Sequence, residues 1–225
     1  VTGIAGGAME SGFSQADVAT WAQTGTGMYE GKPNLPGLRL IANLYPESVH
    51  VVVKKGSGIK SVADLKGKRV ALDEPGSGTL VNAKAILAAY GLKESDIKPE
   101  YIKPNQAGDK MKDGSPDAFT GGAPAGAIAE LASAGSGIDI LPIDGAAADA
   151  LRKASPFFAP DTIAADTYKG VGQVQTLAVG AQWVTGDKAD AATVYEITKA
   201  LFSDAAQKQL AAGHAGAGDG PRQRC

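Results

Sequence analysis

Apolar segments rich in β-branched residues alternate along this chain with segments of helical period, and Gly or Pro punctuates the joins. No other feature constrains the fold as much, because strands revisited through helices make an α/β chain built on a sheet. Strands are predicted over 11–14, 38–44, 49–54, 69–72, 97–102, 118–120, 138–142 and 175–185. Helices are predicted over 17–23, 61–65, 79–90, 106–112, 125–134, 145–154 and 191–203. No internal repeat and no heptad array competes with this reading.

Two helices carry clear end signals. From Leu80 the apolar residues recur at helical spacing, Ser77 or Thr79 can cap the start, and Gly91 can supply the left-handed stop. In the segment from Asp190 to Phe202 an aspartate stands at the capping position, and Val194, Ile197, Leu201 and Phe202 form one stripe. Both helices are expected to pack on a sheet. The end of the chain, 214–225, holds scarcely an apolar side chain larger than Ala and reads as an unstructured tail.

Composition narrows the function. Among 225 residues, 22 Lys and Arg stand against 24 Asp and Glu, a net charge of −2, and 44% are hydrophobic. That is enough apolar material for one large domain or two small ones. The balance removes the electrostatic drive for non-specific nucleic-acid binding. No apolar run approaches the roughly 18 residues that a membrane-spanning helix needs. One cysteine, Cys225, and two histidines, His50 and His214, cannot supply the four or so ligands of a structural zinc site. The chain opens at Val1 without a starting Met, basic n-region or apolar h-region, so its beginning is expected to be missing.

Three junctions between strand and helix could carry chemistry. The first runs from Lys66 through a strand into Gly76-Ser77-Gly78-Thr79, where a helix opens. Free backbone N–H groups, two hydroxyls and the positive helix end make a socket for a carboxylate or phosphate, the dipole alone contributing about 0.3 to 2 kcal/mol. It is not a Walker loop, since no Lys follows Gly78. A plain helix cap is the alternative. The second junction, Gly12-Phe13-Ser14-Gln15-Ala16-Asp17-Val18, offers Gln15 as a ligand-facing amide and Asp17 as either a cap or an ammonium partner. Tyr45 is expected near them at the end of the next strand. The third, Thr120-Gly121-Gly122-Ala123-Pro124, has paired glycines that let backbone approach a ligand or simply make a turn.

No catalytic set emerges. His50 lies in the apolar run from Val49 to Val53, with no Ser, Cys or Asp arrangement beside it to activate, and reads as a core or crossover histidine. Trp21, Tyr29, Phe157, Phe158 and Trp183 read as core. Lys66-Gly67-Lys68-Arg69 reads as solvated surface. No cofactor or metal is called for.

Gly12-Phe13-Ser14-Gln15-Ala16-Asp17-Val18, Leu44-Tyr45-Pro46-Glu47, the block from Ile59 to Val70, Glu74-Pro75-Gly76-Ser77-Gly78-Thr79, Thr120-Gly121-Gly122-Ala123-Pro124 and Leu141-Pro142-Ile143-Asp144-Gly145 follow one another in a familiar order. In that order they resemble TAXI-type solute receptors of TRAP transporters, in the branch of bacterial immunogenic proteins. The resemblance covers about 3–213. It implies a type II periplasmic-binding-protein fold: two α/β lobes joined by crossover strands, closing on a small organic anion or amino acid such as glutamate or a dicarboxylate. The partners it implies are the subunits of a TRAP membrane permease, and the place is the periplasm. Lobe one would comprise 1–56 and 164–213 and lobe two 57–163. The ligand-binding residues would be Gln15, Asp17, Tyr45, Gly76, Ser77, Gly78, Thr79, Gly121 and Gly122, with no catalysis.

Three departures qualify the resemblance. The family's opening strand and its Gly-Thr-rich loop have no counterpart, so lobe one is expected to be incomplete, with an open sheet edge and part of its pocket absent. The stretch between Asp117 and Gly121 lacks the family's additional aromatic residues. After His214 the chain diverges from the family's Pro-Leu-His-Pro segment. Gly56, Gly58, Gly170 and Gly172 would let the crossing segments rotate, or are ordinary turn glycines. An enzyme acting on a small carboxylate or phosphate on the same architecture remains the alternative, since fold does not fix function. A regulator's sensor domain would need a fused DNA-binding or signalling segment.

Overall fold

Five successive residues from Val49 to Val53 are buried without any polar alternation, the mark of a strand covered on both faces. They form the inner half of β2 in the computed structural model, which describes residues 1–122, 126–135 and 137–213. In chain order the elements are α1 (Thr2–Ala5), β1 (Ser11–Gln15), α2 (Ala16–Thr24), β2 (Leu38–Lys54), β3 (Arg69–Ala71), α3 (Gly78–Ala89), β4 (Lys98–Glu100) and α4 (Pro104–Lys112). They continue with β5 (Ala118–Gly122), α5 (Gly126–Ser133), β6 (Ile138–Ile140), α6 (Gly145–Ala154), β7 (Ala159–Ile163), β8 (Val174–Gly186), α7 (Ala191–Leu201) and α8 (Asp204–Gly213). The arrangement is mixed α/β, with helices interleaved between the strands.

The chain divides into two compact units, one of Val1–Pro46 with Gly180–Cys225 and one of Glu47–Val179. Both divisions fall inside a strand, β2 and β8, so the chain passes between units as extended backbone each time.

In the unit Glu47–Val179, β5 runs parallel to β3 and β3 parallel to β4, while β2 lies antiparallel to both β5 and β6. The pleat sorts β2 into two cores. Val49, Val51 and Val53 join Val70, Leu72, Leu80 and Ile86 on one face, and Val52 joins Ala71, Phe119 and Ile128 on the other. Such period-two sorting is what a strand inside a three-layer sandwich must show. Helices α3 and α6 pack together on the first side, α4 and α5 on the second. Burying each Val of β2 contributes about 1.5 to 3 kcal/mol, so this run anchors the unit. At the far end of β3, Arg69 is no idle surface charge: its Nη2 lies 2.6 Å from Asp117 Oδ1 and donates to the Gly114 carbonyl at 2.7 Å. That guanidinium holds the Asp117 carboxyl below the usual carboxylate range.

The unit formed by the chain ends is thinner. β1 pairs antiparallel with β8, Phe13 opposite Trp183, and among the described residues it has no second partner. Ile4, Ala19, Ala22, Tyr29, Leu38 and Val184 make its core cluster.

Several expectations change. The strands predicted over 38–44 and 49–54 are one strand, and Pro46 sits exposed within β2, where its missing N–H costs no buried bond. β7 was not expected; among the described residues it pairs with β8 alone, where Pro160 is tolerated. α8 was likewise not expected. α7 forms as predicted and Asp190 caps it, accepting from the Thr193 N–H at 2.8 Å. Its predicted stripe is covered only in part: Val194, Ile197 and Leu201 are half-buried, Phe202 is exposed, and none of the helix's residues is fully buried. Periodicity shows that a face can be covered, not that a surface is there to cover it. The predicted tail 214–225, with His214 and Cys225, and the expected Ala123-Pro124 turn lie outside the described residues. Among the described residues no helix is long and apolar enough to cross a membrane.

Candidate functional site

Parallel strands align their carboxyl ends, and in the unit Glu47–Val179 each of the three is followed by a helix. β3 leads to α3, β4 to α4 and β5 to α5, so three helix starts lie along one edge of the sheet. The loop from β3 to α3 is folded by its own residues. Asp73 takes φ +79 and its Oδ1 accepts the Glu74 N–H at 2.7 Å. The Ser77 N–H donates to the Glu74 carbonyl at 3.1 Å. Gly76 has φ +90, a backbone conformation open to Gly and strained for most other residues.

Ser77 is the N-cap of α3, its Oγ accepting the Leu80 N–H at 3.1 Å. The choice left open between Ser77 and Thr79 therefore falls to Ser77. The Thr79 hydroxyl, half-buried in the first turn, makes no hydrogen bond among the described residues. No acidic side chain stands in that turn to neutralise the helix end. Glu74, just before it, is paired with Lys103 Nζ at 3.5 Å, at the start of α4. The edge thus offers backbone N–H groups, a hydroxyl and a positive helix end, which together suit an anionic oxygen.

The β5 end closes this edge on the other side. Thr120 is buried and its Oγ1 donates to the Ala71 carbonyl at 3.4 Å, tying β5 to β3. The two glycines differ. A Cβ on Gly121 would meet Pro104 and Ile128 at ordinary distances of 3.7 and 3.8 Å, so nothing there demands glycine. A Cβ on Gly122 would lie 3.0 Å from the side chain of Glu47. Gly122 thus gives room to the side chain of Glu47 on β2. Sequence reasoning passed over Glu47 and Lys103, although Glu47 closes the quoted Leu44-Tyr45-Pro46-Glu47 block.

Gln15, Asp17 and Tyr45 belong to the other unit. Gln15 itself occupies the N-cap position of α2, with φ −72 and ψ 151. Asp17 is not the cap: it lies inside the first turn, buried, with Oδ1 accepting the Val18 N–H at 2.7 Å. Two residues of register decide this, because β1 ends directly at α2 with no turn between them. Tyr45 lies on β2 with its side chain exposed. The structure therefore gathers the predicted site residues into two sets, 76–79 with 121–122 in one unit and Gln15, Asp17 and Tyr45 in the other.

His50 is fully buried, as a core histidine should be, and burial pushes its pKa below the ordinary value. Tyr29 and Phe158 are buried as expected, while Trp21, Phe157 and Trp183 are half-buried. Among the described residues no cluster of His, Cys, Asp and Glu could hold a metal ion.

Comparison with known proteins adds relatives. The NMT1-like family matches residues 1–219. A putative aliphatic sulfonates-binding protein of Escherichia coli (strain K12) is 38% identical over 74 residues, 33% of this chain and 23% of the relative. The periplasmic aliphatic sulphonate binding protein SsuA from Escherichia coli is similar over 93% of this chain and 55% of its own, with 20% identity and TM-score 0.50. An amino acid ABC transporter substrate-binding protein from Streptococcus pneumoniae, bound to L-arginine, is similar over 96% of this chain and 72% of its own, with 13% identity and TM-score 0.52. A protein from Bordetella bronchiseptica is similar over 93% of this chain and 57% of its own, with 19% identity and TM-score 0.57. At these identities the likeness establishes the fold. The chain spans about half the length of SsuA and about a quarter of its curated relative is matched.

Proposed function

The chain belongs to the NMT1-like family, and from that premise we propose that it is the solute-binding part of a periplasmic receptor that hands a small organic anion or amino acid to a membrane permease. The observation that carries this reading is the start of α3, where the Ser77 cap leaves the Thr79 hydroxyl and the positive helix end unopposed by any acid in the first turn. Gly76, Ser77, Gly78 and Thr79 are the proposed anion contacts, with Gly121 and Gly122 lining the same edge. Gln15, Asp17 and Tyr45 are proposed as the contribution of lobe one, Asp17 facing an ammonium rather than an anion. In this reading 57–163 is lobe two, and 1–56 with 164–213 is lobe one.

The order of motifs favours a TRAP permease and a carboxylate such as glutamate or a dicarboxylate. The names of relatives point instead to ABC transporters and to sulfonates or amino acids. A carboxylate and a sulfonate present similar oxygens to a helix start, so one site accommodates either chemistry. Isothermal titration with L-glutamate, succinate and ethanesulfonate, with analysis of the solute afterwards, tests the proposal. Heat from one class without conversion supports a receptor. Conversion of any of them would establish an enzyme, and no heat from all three would remove the anion site.

A further inference from the structure

Three consecutive residues of β2 hold three successive pieces of the chain that returns through β7 and β8. Ser48 Oγ donates to Asp161 Oδ2 of β7 at 2.5 Å. The His50 ring lies 3.1 Å from the Tyr168 hydroxyl, in the connection between β7 and β8. The Val49 carbonyl accepts the Thr176 hydroxyl at 2.6 Å, in β8 itself. The partners fix the tautomer of His50. Its Nδ1 is 2.9 Å from the Ser48 carbonyl, which can only accept, so Nδ1 carries the proton and Nε2 accepts from the Tyr168 hydroxyl. Both rings are buried, edge to face at 5.5 Å, and Tyr168 shares its core with Val52, Ile163 and Val171.

We propose that Ser48, Val49 and His50 form a clasp on the connection between β7 and β8, and that protonation of His50 opens it. An imidazolium donates from both nitrogens, so the bond to Tyr168 must reverse and the hydroxyl proton must turn away from Nε2. The surrounding titratable groups do not prevent this. Asp161 on β7 favours the imidazolium, as does the Ser48 carbonyl, while burial opposes it more strongly. Asp166 and Lys169 beside Tyr168 are exposed, Glu47 and Lys54 lie further along β2, and Asp139 on β6 stands opposite Val53. β5 sets Gly121 opposite His50 and contains no titratable side chain.

The direction of the effect follows. His50 is held neutral when the clasp is closed and takes up a proton more readily once it opens. Closure is therefore fully supported above the unperturbed value of about 6.5 and is lost as pH falls from there through the lowered value. The clasp does not depend on the solute-binding reading.

Hydrogen exchange of the whole chain, corrected for intrinsic rates, tests it at about pH 7.5 and about pH 5. Peptides within 164–173 are expected to exchange at least about tenfold faster at the lower pH, while β5 keeps its protection. His50→Gln keeps a donor and an acceptor but takes up no proton, and should abolish the response. Tyr168→Phe should speed exchange of the same peptides already at the higher pH. A response that survives in His50→Gln, or exchange unchanged by Tyr168→Phe, overturns the proposal. Should a variant fail to fold, the imidazole resonance of His50 in the otherwise native chain, assigned against His214→Gln, decides: its midpoint must coincide with that of the exchange change, and a mismatch overturns it.

Discussion

The two units obey the same local rules and reach different ends. In Glu47–Val179 the inner half of β2 and most of β5 are covered on both faces, and two separate clusters of buried residues flank the sheet. In the unit formed by the chain ends one small cluster serves, and β1 has a single partner among the described residues. The exposed large apolar side chains follow the same division. Met9, Phe13, Leu40, Tyr45, Tyr195, Phe202 and Leu210 all lie in that unit, and of those described only Tyr101 lies in the other. The comparison teaches that a helix or strand can form from its own sequence signals while its burial depends on what the rest of the unit provides.

Mutations in equivalent roles should separate the units. Phe119, fully buried in the middle of β5, should cost about 3 to 5 kcal/mol when replaced by Ala, measured by denaturant unfolding. A loss below about 1 kcal/mol would mean that this sheet is not the main core. Next in size is a matched pair on helices. Ile86→Ala on α3 should cost about 2 to 5 kcal/mol, whereas Ile197→Ala on α7, where no residue is buried, should cost less than about 1 kcal/mol. Equal losses would contradict the difference in packing. Ser77→Ala should cost about 1 kcal/mol through loss of the cap. Smallest in stability is Phe13→Thr. At 75% exposure the ring contributes little to folding, so the change should stay within about 0.5 kcal/mol. Light scattering should nevertheless show less self-association, because an uncharged edge strand with an exposed aromatic invites pairing. An unchanged scattering profile would show that the β1 edge is not sticky.

Much of this was legible in the residues. The β2 run from Val49 to Val53, the 3.6-residue spacing of α3 and the Asp190 cap are local signals, and the structure keeps them. α6 appears over the predicted span. What escaped was settled by tertiary surroundings. Pro46 and Pro160 are tolerated within strands through the exposed position of one and the single neighbour of the other. The α7 stripe promises burial that its unit supplies only in part. At the candidate site the glycine turn of α3 was readable because capping is local, whereas Glu47 against Gly122 and Lys103 on Glu74 join residues far apart in sequence. No spacing rule reaches them. Asp17 was misplaced by the absence of any turn between β1 and α2.

The central claim is that the start of α3 receives an anion, and amide hydrogen exchange with and without saturating L-glutamate, succinate or ethanesulfonate tests it most directly. For the solute that gives heat on titration, exchange within 77–80 should slow, and Thr79→Val should weaken binding by about 1 to 3 kcal/mol if its hydroxyl is a buried partner. Binding that leaves 77–80 unprotected and is indifferent to Thr79→Val would contradict the account and reduce Ser77-Gly78-Thr79 to a helix cap.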